Sequence, residues 1–179
     1  MSNNIVVLSG SPRKNGNTDR LVAAFVEGAM SAGKKVTVFR VADMQIAGCR
    51  GCNQCFAQNG VCVQTDDAQI ILDALKEADA YVLASPIYFF SLSAQIRLAI
   101  DRTYALLRAG MPASTSALLI TCGADTASAA DGAVATYKGM CGHSGRKDAG
   151  IIIAPGLHAL DAIEGRPELA QARALGQEI

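Results

Sequence analysis

Five short apolar runs, alternating with segments of helical periodicity, constrain this chain more than anything else in it. Ile5–Leu8, Val36–Val41, Tyr81–Ala84, Ser116–Thr121 and Gly150–Pro155 have strand length and carry many β-branched or aliphatic residues. Between and after them apolar residues recur every three or four positions. Leu21, Val22, Phe25, Val26 and Ala29 with Met30 share one such face, and Ala32-Gly33 ends it. Asp66 or Asp67 can cap a helix carrying Ile71, Leu75 and Ala78. Ser93 opens another with Ile96, Ile100, Thr103 and Leu107 on one stripe, and Gly110 stands where a C-terminal cap belongs. Ala130, Val134 and Tyr137 suggest a helix within 125–140, and Pro167 suits the first turn of a last helix with Leu169, Ala172, Leu175 and Ile179 inward. A parallel strand pair needs a crossover of helix length, so this alternation argues for a parallel sheet covered by helices on both faces. Tyr81–Ala84, apolar without interruption, suits a strand buried on both sides, and Ser85-Pro86 is expected to end it.

A chain of 179 residues, half of them hydrophobic, can bury the core of one domain, read here as 1–179 without internal repeat or boundary. Five strands fit an α/β, flavodoxin-like three-layer sandwich with a five-stranded parallel sheet in the order 2-1-3-4-5. In that order the direction of winding reverses between the first and third strands. Ligands bind at such a point, outside the carboxyl ends of the strands. The two loops that leave it are Leu8–Thr18 and Ser85–Ser93.

The first of these loops leads straight into a helix. Backbone N–H groups of a helix's first turn have no intrahelical partner, and the helix dipole favours negative charge there. Ser9, Ser11 and Thr18 add hydroxyls, Asn15 and Asn17 amides, Arg13 and Lys14 positive charge, with no Asp or Glu from Leu8 to Thr18. Gly, Pro, Asn and Ser also make ordinary turns. The density of donors favours an anion site, specifically a phosphate. Neither a closing Gly-Lys-Ser/Thr nor a G-x-G-x-x-G spacing is present. The second loop, Ser85-Pro86-Ile87-Tyr88-Phe89-Phe90, is apolar and aromatic where exposure is expected. It could cover its own core or another subunit, or form a platform for a flat ligand. A mononucleotide with a large ring, such as FMN, would use both loops.

Lys+Arg and Asp+Glu balance at 16 each, which gives no sign of a nucleic-acid surface. No apolar run has the length of a membrane span, and Met1-Ser2-Asn3-Asn4 lacks the positive opening of a signal peptide, so a soluble cytoplasmic protein is expected. In that compartment the six cysteines are metal ligands, reactive thiols or small buried hydrophobes more readily than disulfides. Cys49, Cys52, Cys55 and Cys62 read C-x2-C-x2-C-x6-C. The first three have the spacing of ferredoxin-type cluster ligands. Structural zinc, free thiols, a labile disulfide and a relic without metal are the alternatives. Cys122 ends a strand and reads as a buried hydrophobe. Cys141, His143 and His158 form no recognisable constellation and read as structural or surface residues.

Gly10-Ser11-Pro12-Arg13, Gly16-Asn17-Thr18, Ser85-Pro86-Ile87-Tyr88, Ser93-Ala94-Gln95 and Asp101-Arg102 stand in order over residues 4–125. In this the chain resembles the NADPH-dependent FMN reductase family, and within it the branch that includes the iron–sulfur flavoproteins. The resemblance implies non-covalent FMN. Ser11, Arg13, Asn17 and Thr18 would hold its phosphate. Pro86, Ile87, Tyr88 and Phe89 would line the ring and ribityl chain, and Gly123, beside Cys122, would touch the far side of the ring. It implies an NAD(P)H oxidoreductase whose electrons pass through FMN to a quinone, a flavin or another acceptor, without a catalytic acid or base. The alternative is a relay between ferredoxin, a [4Fe-4S] cluster on Cys49, Cys52, Cys55 and Cys62, and FMN. A third reading, since one fold hosts many functions, is a ligand-sensing or interaction module without redox turnover. The resemblance also implies a homodimer or homotetramer paired through the helix after Ser93. Phe90 departs from the pattern by its bulk, and Arg97 stands for a frequent Lys.

Overall fold

The computed structural model describes residues 4–179; residues 1–3, on which the expectation of no signal peptide partly rests, lie outside the described residues. The chain runs β1 (Asn4–Ser9), α1 (Asn17–Ser31), β2 (Lys35–Arg40), α2 (Gln54–Ala57), α3 (Ala68–Lys76), β3 (Ala80–Tyr88), β4 (Ser91–Leu92), α4 (Ala94–Arg102), α5 (Leu106–Ala109), β5 (Thr115–Thr121), α6 (Asp131–Ser144), β6 (Lys147–Ala154) and α7 (Pro167–Glu178). Five strands pair in parallel in the order β2-β1-β3-β5-β6. That is the expected 2-1-3-4-5 order with one short strand inserted in the numbering. β1 pairs with both β2 and β3, so the winding reverses between the first and third of the parallel strands, as the sequence implies.

The inserted strand corrects the expectation of five. Pro86 does not end β3, which continues to Tyr88 and pairs antiparallel with the two-residue β4. The last pair between β1 and β3 is Ser9↔Ala84, so beyond Ala84 one edge of β3 is free. Proline is compatible with an extended backbone and lacks only a donor, which an unpaired edge does not require.

The strands alternate their side chains between two cores. Val6, Leu8, Tyr81, Leu83, Leu118 and Ile120 pack with α3, α4 and α6 on one face. Ile5, Val7, Val82, Leu119 and Ile152 pack with α1 and α7 on the other. The second face closes on a tight helix pair: a Cβ on Gly176 of α7 would overlap the Phe25 carbonyl of α1 and lie 2.8 Å from the Ala29 nitrogen. Only glycine permits that approach.

The stripe after Ser93 is shorter than its periodicity suggests. α4 stops at Arg102, a 3-10 turn at Thr103–Ala105 follows, and the change of pitch leaves Leu107 half exposed while Ile96 is fully buried. Gly110 follows α5 with a positive φ of 84°, which favours glycine, in the cap position expected of it. The helix expected in 125–140 begins at Asp131 behind a 3-10 turn, with Ala130 and Tyr137 buried. Among the described residues no helix is long and apolar enough to cross a membrane.

Candidate functional site

Beyond the carboxyl ends of β1, β3, β5 and β6 lies a cavity of about 310 Å³. Ser11, Arg13, Asn17 and Thr18 form one end of it, and Pro86, Ile87 and Tyr88 another wall. Thr121, Cys122 and Gly123 form the floor towards β5, and Leu157, His158 and Leu160 come from the loop after β6. The fold thus brings together every residue expected of the site except Phe89. That side chain is 97% exposed at the tip of the β3–β4 turn and lies outside the cavity walls.

The loop end is built as an anion cradle. Gly16 stands at the N-cap of α1 and supplies no side-chain cap, so the first-turn N–H groups face outward uncapped. Ser11 is buried, and its hydroxyl accepts from the Arg13 N–H at 3.2 Å and donates to the Arg13 carbonyl at 3.3 Å. Thr18 Oγ1 lies 2.7 Å from Thr121 Oγ1 and ties the start of α1 to the end of β5. The charges sort themselves around this cradle. Lys14 is drawn off to Asp43 at 3.7 Å, and Asp19, the one acid in the first turn, is paired with Arg40. Arg13 has no acidic partner among the described residues, and no Asp or Glu lines the cavity. A desolvated anion is favoured by that balance.

Asn17 also reaches across the fold. Its Nδ2 donates to the Ala159 carbonyl at 2.7 Å and its Oδ1 accepts from the Ile163 N–H at 3.1 Å. The amide thereby fastens the loop after β6 over the cradle. His158 is a wall residue that sequence reasoning assigned to the surface. Its Nε2 lies 3.0 Å from Asp125 Oδ1 at the rim. No spacing in the sequence signals the pair, because 33 residues separate its members. Cys122 is buried as expected, and burial pushes its thiol pKa up, so it is held as a neutral thiol.

The four-cysteine segment lies elsewhere, beside α4. All four sulfur residues border one small cavity, Cys49 and Cys52 exposed, Cys55 and Cys62 half-buried. Arg102 organises this segment. It is 2% exposed, and its Nη1 donates to Asp66 Oδ2 at 2.6 Å and to the Ala47 carbonyl at 3.0 Å. Its Nη2 donates to the Gln64 carbonyl and to Cys62 Sγ, both at 3.3 Å. Burial alone would raise the Asp66 carboxyl, but the Arg102 hydrogen bond, joined by the N–H groups of Ala47 and Ala68, outweighs it and holds the pKa below the usual carboxylate value. The donor types suit a thiolate site. Their placement does not: among the described residues no group of three or more potential ligands is gathered to hold a metal ion.

Residues 3–140 match the model of the NADPH-dependent FMN reductase family. The chain belongs to that family. Among curated relatives, an iron-sulfur flavoprotein of Methanocaldococcus jannaschii is 38% identical over 99 residues, 55% of this chain and 51% of that one. The chain spans about half the length of the curated relatives it matches. Its fold matches an azoreductase of Bacillus anthracis with a TM-score of 0.75 at 18% identity, over 98% of this chain and 99% of that one. An NAD(P)H:quinone oxidoreductase of Methanothermobacter marburgensis matches with a TM-score of 0.73 at 16% identity, over 99% and 96% of the two chains. In this reductase family member the matched region contains the β1–α1 and β3–β4 walls of the cavity and the cysteine segment, and the loop after β6 lies beyond it.

Proposed function

We propose that this chain is an FMN-dependent NAD(P)H oxidoreductase, with FMN in the cavity at the carboxyl ends of the strands and a quinone, a free flavin or a related compound as acceptor. The observation that carries the reading is the uncapped first turn of α1 facing an acid-free cavity, with Arg13 unpaired at one end and Tyr88 at the other. Bound there, FMN supplies a ring that accepts hydride from a reduced nicotinamide and passes electrons on. The chain supplies position. Ser11, Thr18 and the first-turn N–H groups receive the phosphate, and Arg13 adds charge. Pro86 and Ile87 fix the ring plane, Gly123 leaves room for its far edge, and Tyr88, 41% exposed, borders the open face where a nicotinamide would stack. No side chain needs to move a proton. The reading takes the protein as cytoplasmic, a compartment that keeps thiols such as its six free cysteines reduced.

The test is titration of flavin-free protein with FMN, followed by NADPH oxidation with a quinone acceptor. Arg13→Ala is expected to weaken FMN binding by roughly 1.5–3 kcal/mol, about one to two decades in Kd, through loss of charge-assisted contacts. FMN affinity unchanged in that variant, or a chain that takes up no FMN, would overturn the proposal.

A second reading adds a [4Fe-4S] cluster on Cys49, Cys52, Cys55 and Cys62. It is supported by the common cavity those residues border and by the relatives' names, and opposed by their dispersed placement. Anaerobic reconstitution decides it. About four irons per chain with broad visible absorption would establish the cluster, and flavin absorption alone after reconstitution would remove it.

A further inference from the structure

A second cavity, of about 900 Å³, lies apart from the one below the flavin loops. It lies at the opposite end of the sheet, before β5 and β6. Ile100, Tyr104 and Leu106 form one wall, and Met111 and Met140 lie among the others. Arg146, the residue before β6, lines it too, and the polar wall residues include Asp101 and His143. It is 8% exposed, yet it has no ion pair among the described residues. Its Nε has no hydrogen-bond partner. Its Nη1 reaches only the sulfur of Met111 at 3.6 Å, and its guanidinium lies 5.3 Å from the centre of the Tyr81 ring. Asp148, two residues on in β6, is held by Tyr137 Oη at 2.8 Å and by the Gly150 N–H at 3.0 Å.

A guanidinium this deeply buried is costly without a counter-anion. Arg102 in the same chain illustrates the usual solution, with a carboxylate and two carbonyls around it. Arg146 lacks that solution and borders a space large enough for a ligand. We propose that this cavity is a second ligand site, for an aromatic carboxylate, with Arg146 as its anion anchor. The guanidinium fork matches a carboxylate bidentately. The aromatic body is indicated by the lining: thioethers of Met111 and Met140 favour ring contacts, and Tyr104, tilted against Phe56 with ring centres 5.0 Å apart, adds an aromatic wall. The site shares no wall residue with the flavin cavity, whereas Cys49, Gly51, Asn53 and Tyr104 also border the four-cysteine cavity.

The probe is 2-naphthoate, with uncharged 2-naphthamide as the control, titrated by calorimetry against full-length protein with and without saturating FMN. Methionine methyl resonances are recorded in the same titration. Naphthoate is expected to bind at least tenfold tighter than naphthamide, equally with and without FMN, and to move the Met111 and Met140 signals. Arg146→Met is expected to abolish the preference for the charged probe. Arg146→Lys, which keeps the charge where Arg146→Met fails to fold, should retain part of it. Equal affinity for the two probes, no binding, or displacement of naphthoate by FMN would overturn the proposal. So would a dimer, seen by sedimentation, that excludes naphthoate and comes apart in Arg146→Met, because the occupant would then be a second copy of the chain.

Discussion

Two arginines illustrate how a single residue's role depends on what surrounds it. Arg102 stands in the sequence only as half of an Asp-Arg pair, and its real partner, Asp66, lies 36 residues earlier. Together they join α4 to both ends of the cysteine segment, through Ala47 on one side and Gln64 on the other. Removing the carboxylate leaves a buried charge uncompensated, so Asp66→Ala is expected to lose about 3 kcal/mol of stability in urea unfolding. The folded-state pKa of Asp66 is depressed, so its contribution is complete above its ordinary pKa of 3.8 and fades as pH falls through the lower folded value. The stability difference between wild type and Asp66→Asn should therefore be constant near neutrality and shrink below about pH 4. A difference that is flat down to pH 2 would contradict the assignment. The place of Ser11, Arg13 and Thr18 in one cavity was legible, because hydroxyls and positive charge before a helix have a local meaning. The bonds of Asn17 to Ala159 and Ile163 and the wall position of His158 were not legible, since each depends on contacts across the fold.

At the scale of elements, the β3–β4 hairpin is where sequence and structure part most. Phe89 and Phe90 occupy the two central positions of its turn with φ of 49° and 66°. Two-residue hairpin turns need positive φ at both, and Asn-Gly is the usual solution. Phe-Phe has none of that chemistry, so the segment read as an open loop to Ser93. The backbone stays in place because of its neighbours: the Phe90 carbonyl packs against α6, only 2.6 Å from where a Cβ on Gly132 would lie. Non-glycine residues in this region cost on the order of 1–3 kcal/mol each. Replacing the pair by Asn-Gly is therefore expected to stabilise the protein by about 1–2 kcal/mol, less than the full strain because glycine loses more entropy on folding. That gain should appear as a rise in Tm of several degrees. The same variant removes the exposed Phe89 and Phe90 rings next to Tyr88, which borders the flavin cavity, so turnover with bulky acceptors should change while FMN affinity does not. A lower Tm would indicate that the rings, not the backbone, dominate this turn.

At the scale of the whole molecule, the parallel sheet was legible because its signal is spread along the chain. Strand and helix alternate throughout, and no single residue decides the order. The site inherits that legibility, because the reversal of winding beside β1 fixes where the strand ends open. What the alternation could not reveal is the enclosure of the cavity, which depends on the loop after β6 closing over α1 through Asn17, 146 residues before Ile163. Binding at such a junction couples the two ends of the chain. FMN that binds only the folded form should stabilise it by about 2.7 kcal/mol at a hundredfold excess over Kd. For a domain of this size each kcal/mol raises Tm by about 2–4 °C, so the flavin-saturated protein should melt about 5–10 °C above the flavin-free one. Asn17→Ala separates the fastening role from direct phosphate contact. It removes the bonds to Ala159 and Ile163 but keeps the backbone N–H, so the flavin-free protein should itself melt lower, and residues 155–163 should exchange amide hydrogens faster. Arg13→Ala, in contrast, should leave the flavin-free Tm unchanged and shrink only the increment from FMN. If both variants reduced the increment alone, Asn17 would be a phosphate ligand and not a clasp.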